Sequence, residues 1–220
     1  MKLPTNLVWV FDLDDTLISE LEYQKSGYKA ICDVVESLYD KDVYSVIDDA
    51  VKGNKDVISE VCCFLGLPLT LKDSFIWIYR LHTPNIVLRE GVSDFLLKLE
   101  PISNAVAIIT DGRSISQRLK IGSLGLERYE VLVSEEWQET KPQLERFKHL
   151  QNKYKGASGF VYVGDNVTKD FIGPNKLGWI TIGIKDSGQN IHPQITNNVD
   201  CDYLPNFWVN NFSELQDFIC

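Results

Sequence analysis

Positive charge is in short supply in this sequence. Its 220 residues carry 22 lysines and arginines against 31 aspartates and glutamates, a net charge of −9. A general nucleic-acid binder needs a basic footprint, so that class is excluded as an expectation. The acid excess reads as a solvated surface. An anionic ligand would need a local positive site, made by a metal ion or by particular Lys and Arg side chains. Paired cysteine motifs are also missing. Cys32, Cys62, Cys63, Cys201 and Cys220 form no C-x-x-C, which removes zinc-ribbon and thioredoxin-like readings. An odd number of cysteines without a secretory signal implies reduced thiols and a cytoplasmic protein. Cys62 and Cys63 are expected to be small buried apolar residues. No apolar stretch approaches the ~20 residues of a membrane span. The run Leu7 to Phe11 is too short for a signal core and ends in Asp12. Internal repeats and low-complexity tracts are absent too. No nucleic-acid or membrane partner is expected.

What is present suits a sizeable core. Hydrophobic residues make up 44% of the chain, enough for one large domain or a domain with an insertion. Leu7-Val8-Trp9-Val10-Phe11 is a β-branched and aromatic run, the signature of a strand buried on both faces. Similar runs span Ala105 to Thr110, Tyr129 to Ser134, Gly159 to Val163 and Trp179 to Ile184. Helical periodicity lies between them: Val92, Phe95, Leu96 and Leu99 share a face, as do Leu144, Phe147, Leu150 and Tyr154. Strands alternating with helices predict a doubly wound, parallel α/β sheet. One segment breaks the rhythm. About seventy residues separate the first strand from the helix near Gly91, far more than a crossover loop needs. They show helical spacing at Tyr28, Ile31, Val35 and Leu38, then Val57, Ile58, Val61 and Leu65, then Phe75, Ile76 and Tyr79. Residues 18–88 therefore read as a helical insertion, with residues 1–17 and 89–220 as the core. Beyond Lys185 the chain becomes loop-like, and Ser213 is a candidate cap for a short final helix.

Chemistry-bearing residues fall at the ends of the predicted strands. Asp12 and Asp14 close the first strand, two apart and hence on one face. Carboxylates this close repel unless a cation joins them, and a hard cation such as Mg²⁺ takes oxygen ligands. The second strand ends in Thr110-Asp111-Gly112, a hydroxyl followed by amides able to form an anion nest. Lys141 precedes Pro142, which suits the first turn of the helix that follows and leaves Lys141 at the helix mouth. The fourth strand runs into Gly164-Asp165, with Asp170 about a helical turn on. These two acids are placed to hold a metal and to orient Lys141. Each motif taken alone also reads as an ordinary strand end, helix cap or surface charge.

In order and in context, the four resemble the motifs of the haloacid dehalogenase superfamily: D-x-D-x-T, a strand ending in Thr, Lys before Pro, and G-D followed by a second Asp. The resemblance covers nearly the whole chain. The stretch with Gln117, Lys120, Leu124-Gly125-Leu126 and Ser134-Glu135-Glu136 is similar to the subgroup with a helical cap after the first strand. Tyr79 to Pro84, followed by Glu90-Gly91-Val92, resembles that subgroup's cap exit. The resemblance implies a five-stranded core in the order 3-2-1-4-5. It also implies hinges near Ile18 to Glu20 and Pro84 to Leu88, and a Mg²⁺-dependent phosphohydrolase. In that reading Asp12 is the nucleophile and Asp14 the general acid and base. Asp12, the Asp14 carbonyl and Asp165 hold Mg²⁺. Thr110, the Asp111 and Gly112 amides and Lys141 bind the phosphoryl group. Asp170 supports them, and Asp15, where the family often shows Gly or Asn, is structural. The implied substrate is a small phosphorylated metabolite of the sugar phosphate or nucleoside monophosphate class. A phosphotransferase such as a mutase, a phosphate-binding protein without turnover, and a dehalogenase share the fold. The family's dehalogenases lack the second motif acid. Arg80 and His82 near the cap exit read as packing or surface residues slightly better than as substrate contacts.

Overall fold

The computed structural model describes residues 2–197 and 199–219. Cys220 lies outside the described residues. The strands are β1 (Val8–Phe11), β2 (Ala105–Thr110), β3 (Glu130–Val133), β4 (Phe160–Gly164), β5 (Ile180–Ile184) and β6 (Phe207–Val209). The helices are α1 (Glu20–Tyr39), α2 (Tyr44–Lys52), α3 (Val57–Leu65), α4 (Lys72–Leu81), α5 (Val92–Leu99), α6 (Ser114–Ser123), α7 (Ser134–Trp137), α8 (Glu145–Lys153), α9 (Ile172–Lys176) and α10 (Phe212–Leu215).

All the strands are parallel, in the order β3-β2-β1-β4-β5-β6. β1 sits between β2 and β4, with Phe11 opposite Ile108 on one side and Val163 on the other. Its four residues are buried on both faces, and alternation sends them into two different cores. Val8 and Val10 join Ala107, Ile109 and Tyr162 against Phe147 and Leu150 of α8. Trp9 and Phe11 meet Phe95 of α5, with Trp9 edge-on to Phe95 at 5.6 Å and Phe11 stacked on Phe212 of α10 at 6.4 Å. Val92, Phe95, Leu96 and Leu99, the residues that share a face, are all buried.

The sheet has one strand more than expected. Phe207-Trp208-Val209 pairs with β5 in the register Ile182–Phe207 to Ile184–Val209. Three residues are too few to show a period, so only the pairing reveals the strand. The final helix is capped by Asn211, whose side chain accepts from the Glu214 amide at 3.2 Å, and not by Ser213. Cys62 is buried as expected, whereas Cys63 is exposed.

The chain divides into two compact units. One runs through Leu21 and resumes at Val87; the other is Glu22–Ile86. In the second, Ile31 and Val35 of α1 pack with Ile47, Val61 and Phe75. α2 had no clear signal, and Leu38, expected on the apolar face, is 70% exposed. The His82 ring is committed within this unit. Its Nδ1 is 2.6 Å from the Tyr79 carbonyl and its Nε2 3.1 Å from the Ser26 hydroxyl. The Arg80 guanidinium lies over the Trp77 ring. No helix among the described residues is long and apolar enough to cross a membrane.

Candidate active site

The parallel register brings several strand ends to one edge of the sheet. Asp12 follows β1 and donates its amide to the Val163 carbonyl at 2.9 Å, next to the point where β4 delivers Asp165. The carboxylates of Asp12, Asp165 and Asp170 are all buried, with ligand oxygens within 4.8 Å of one another. The Lys141 side chain is fully buried, with its ammonium 2.7 Å from Asp12 Oδ1, 2.7 Å from Asp170 Oδ1 and 3.2 Å from the Tyr162 hydroxyl. Lys141 is therefore not at a helix mouth. α8 begins only at Glu145, and the turn before it directs the lysine inward, its amide facing the Asp111 carboxylate at 3.2 Å.

Asp170 acts on this lysine and on its own loop. Its Oδ1 takes Lys141 and the Tyr162 hydroxyl, and its Oδ2 takes the amides of Asp165 and Asn166 at 3.2 and 2.8 Å. A side chain at position 164 would collide with it: a Cβ there would lie 2.6 Å from Asp170 Oδ2. Gly164 is what lets the carboxylate close over the strand end.

The electrostatics are those of crowded, dry carboxylates. Burial raises the Asp12 pKa to about 7; Lys141 opposes the rise and Asp170 adds to it. Burial, then Asp170 and Asp12, raise Asp165 to about 8. Burial would lower the Lys141 pKa, but the Asp12 and Asp170 carboxylates hold it well above the ordinary lysine value. One ammonium among three buried carboxylates leaves an excess of negative charge, and every donor is a hard oxygen. That set fits Mg²⁺.

Asp14 is held apart from this cluster. Gln117 Nε2 donates to its Oδ2 at 2.9 Å, and Lys120 Nζ lies 2.6 Å from its Oδ1. No role was expected for either residue. Their signal in the sequence was a spacing of three, which puts both on the buried side of α6 with Ile121. The expected phosphoryl ligands divide. Thr110 Oγ1 is buried without a hydrogen-bond partner among the described residues, an unspent donor at the strand end. The Gly112 amide is spent on Ser134 Oγ at 2.8 Å. Asp111 was expected to contribute its amide; its carboxylate, a separate group, is engaged by Arg146 at 2.7 Å.

Arg146 was not foreseen. It is fully buried, donating to Glu139, to Asp111 and to the carbonyls of Thr110 and Leu132. It thereby ties the end of β2 to the turn that carries Lys141. Asp15 has the structural role expected of it, accepting from the amides of Glu20 and Ile191 and from Arg89. Glu20 joins Asp12, Asp14, Asp165, Lys169 and His192 around a cleft of about 70 Å³. Burial, followed by the Asp14 charge, raises the Glu20 pKa to about 7.

Comparison with known proteins gives this arrangement its context. The chain is 26% identical, in an alignment that covers 96% of its length and 95% of the relative's, to a glyceraldehyde 3-phosphate phosphatase of Methanocaldococcus jannaschii. Its fold is similar to the HAD-hydrolase YfnB of Bacillus subtilis bound to magnesium, with a TM-score of 0.65, 17% identity and coverage of 97% and 98% of the two chains. It is also similar to a 2-haloacid dehalogenase of Pseudomonas syringae pv. Tomato DC3000, with a TM-score of 0.63, 19% identity and coverage of 96% and 97%. Fold alone therefore does not choose the chemistry. Residues 9–184 match the family described as haloacid dehalogenase-like hydrolase, and the chain belongs to that family.

Proposed function

We propose that this hydrolase is a Mg²⁺-dependent phosphatase of small phosphate monoesters, acting through an aspartyl-phosphate on Asp12. The observation that carries the reading is the Lys141 ammonium 2.7 Å from Asp12, with a second acid, Asp14, two residues on. A nucleophilic carboxylate beside a fixed positive charge suits attack at phosphorus. A nearby second acid is what proton transfer to an ester oxygen requires.

In this reading an Asp12 oxygen bonds to phosphorus as the ester oxygen departs, taking its proton from Asp14. Water then attacks the aspartyl-phosphate and gives its proton to Asp14, so that phosphate leaves and Asp12 is restored. Lys141 and the Thr110 hydroxyl face the charge that spreads over the transferring group, where positioning and neutralisation dominate. Bound Mg²⁺, held by Asp12, the Asp14 carbonyl and Asp165, supplies further neutralisation of that charge. The M. jannaschii relative is named for a triose phosphate, which supports the sugar phosphate class of substrate over the nucleotide class.

The test is hydrolysis of para-nitrophenyl phosphate and of a panel of phosphorylated metabolites, with Mg²⁺ and with a chelator. Turnover that needs Mg²⁺ and vanishes in Asp12→Asn is expected. Turnover that survives either change would overturn the proposal, and so would dehalogenation of 2-haloacids with no phosphatase activity.

A further inference from the structure

The loop that follows β5 reaches back to the carboxylate cluster, although nothing in its composition suggested a part in the site. It is internally braced. The Asp186 carboxylate accepts the amides of Gly188, Gln189 and Asn190 at 2.8, 2.9 and 3.0 Å. From this brace Asn190 extends its Nδ2 to Asp165 Oδ2 at 2.9 Å. Thr16 Oγ1 donates to the other oxygen of the same carboxylate at 3.1 Å. Farther along, Gln194 Nε2 donates to the Asp165 main-chain carbonyl at 2.7 Å. Asp165 is thus held by both carboxylate oxygens and by its backbone.

The orientation of the Asn190 amide is itself determined. Arg89 Nη2 donates to Asn190 Oδ1 at 2.9 Å. A guanidinium can only donate, so the oxygen must face Arg89 and the NH₂ must face Asp165. Arg89 is in turn paired with Asp15 Oδ1 at 3.3 Å, while the Ile191 amide donates to Asp15 Oδ2 at 3.0 Å. Asp15 therefore anchors the loop at two points, one through Arg89 and one directly. This gives the acid at position 15, where Gly or Asn is frequent in the family, a task of its own.

We propose that Asn190 is a positioning residue for the metal. With its Arg89–Asp15 support, it fixes the plane of the Asp165 carboxylate so that the remaining lone pairs face the cation. Each carboxylate oxygen has about two lone-pair sites, so one donor per oxygen leaves room for a metal. Hydrogen-bond partners that orient metal-binding side chains typically contribute ~10–100-fold in affinity. The inference rests on Asp165 being a metal ligand, as proposed above.

The experiment is calorimetric titration of Mg²⁺ into the substrate-free protein, for wild type, Asn190→Ala and the near-isosteric Asn190→Leu. Thermal unfolding in chelator confirms that each variant is folded. The expected result is Mg²⁺ binding weakened by ~10–100-fold in both variants, with kcat regained at saturating Mg²⁺. Arg89→Gln should show a smaller weakening in the same direction, because it releases the amide without deleting it. Unchanged Mg²⁺ affinity in a folded variant would overturn the proposal, as would a kcat that falls equally at every Mg²⁺ concentration. If both Asn190 variants unfold, Arg89→Gln decides alone. Wild-type protein that does not bind Mg²⁺ at all would sink both this inference and the proposed function. Binding unaffected by the variants would sink only this one.

Discussion

The Lys120 ammonium lies 2.6 Å from Oδ1 of Asp14, joining a buried residue of α6 to the acid two residues beyond Asp12. With Gln117 on the other oxygen, it fixes the position of the carboxylate. Asn in place of Asp14 keeps the main-chain carbonyl but cannot shuttle a proton. Loss of acid–base assistance should slow turnover by ~10²–10⁴-fold. With para-nitrophenyl phosphate, whose leaving group needs no proton, phosphorylation should persist and hydrolysis of the adduct should lag. Intact-mass measurement after acid quench should find a phosphoryl adduct on Asp14→Asn and none on Asp12→Asn. An adduct on the Asp12 variant would refute that residue as nucleophile.

Lys141→Met removes a buried cation shared by two carboxylates. Its effect on kcat/KM should be at least ~10²-fold, comparable to losing one strong electrostatic donor. Near-normal kinetics in the variant would take Lys141 out of the phosphoryl site.

Arg146 makes a different prediction, since none of its partners is a reacting group. Arg146→Met would strand Glu139 and Asp111 and take a donor from the Thr110 and Leu132 carbonyls. Removing one partner of a buried ion pair costs about 3–5 kcal/mol. A clear fall in thermal midpoint is expected. Arg146→Lys should also lose most of this network, because an ammonium does not reproduce the guanidinium fork. Denaturant unfolding would measure both, and a loss below about 1 kcal/mol would show that the network adds little net stability.

The carboxylate cluster predicts an unusual pH dependence for metal-free protein. Asp12, Asp165 and Glu20 are raised to about 7, 8 and 7, from ordinary values of 3.8, 3.8 and 4.5. Between the two sets of values the folded state binds more protons than the unfolded state. Stability in chelator should therefore fall as pH rises from about 4 towards about 8. Mg²⁺ binds the deprotonated acids, so its stabilisation should grow over the same interval. Thermal midpoints measured in chelator and in Mg²⁺ at several pH values would show the two curves separating. A chelator curve that climbs across that interval, or one whose slope is unaltered in Asp165→Asn, would contradict the assignment.

Much of this protein was determined by its sequence alone. The five longer strands were legible because strands buried on both faces must be continuous apolar runs, and Asp12, Asp14 and Asp165 because they stand at the ends of two of those runs; Lys141 was legible only through the proline that follows it. The short β6 was not, since three residues carry no period and only the edge of β5 orders them. The direction of a side chain was equally hidden. Lys141 reads as a helix-mouth residue until the start of α8 at Glu145 frees the preceding turn to point it inward. Gln117, Lys120, Arg146 and Asn190 are ordinary polar residues in the sequence. Their partners, Asp14, Asp111, Glu139 and Asp165, are brought to them by the packing of helices and loops on the sheet. A local pattern records which face of an element is apolar. Which buried charge meets which depends on chain segments as far apart as Asp12 and Lys141, and that only the tertiary structure decides.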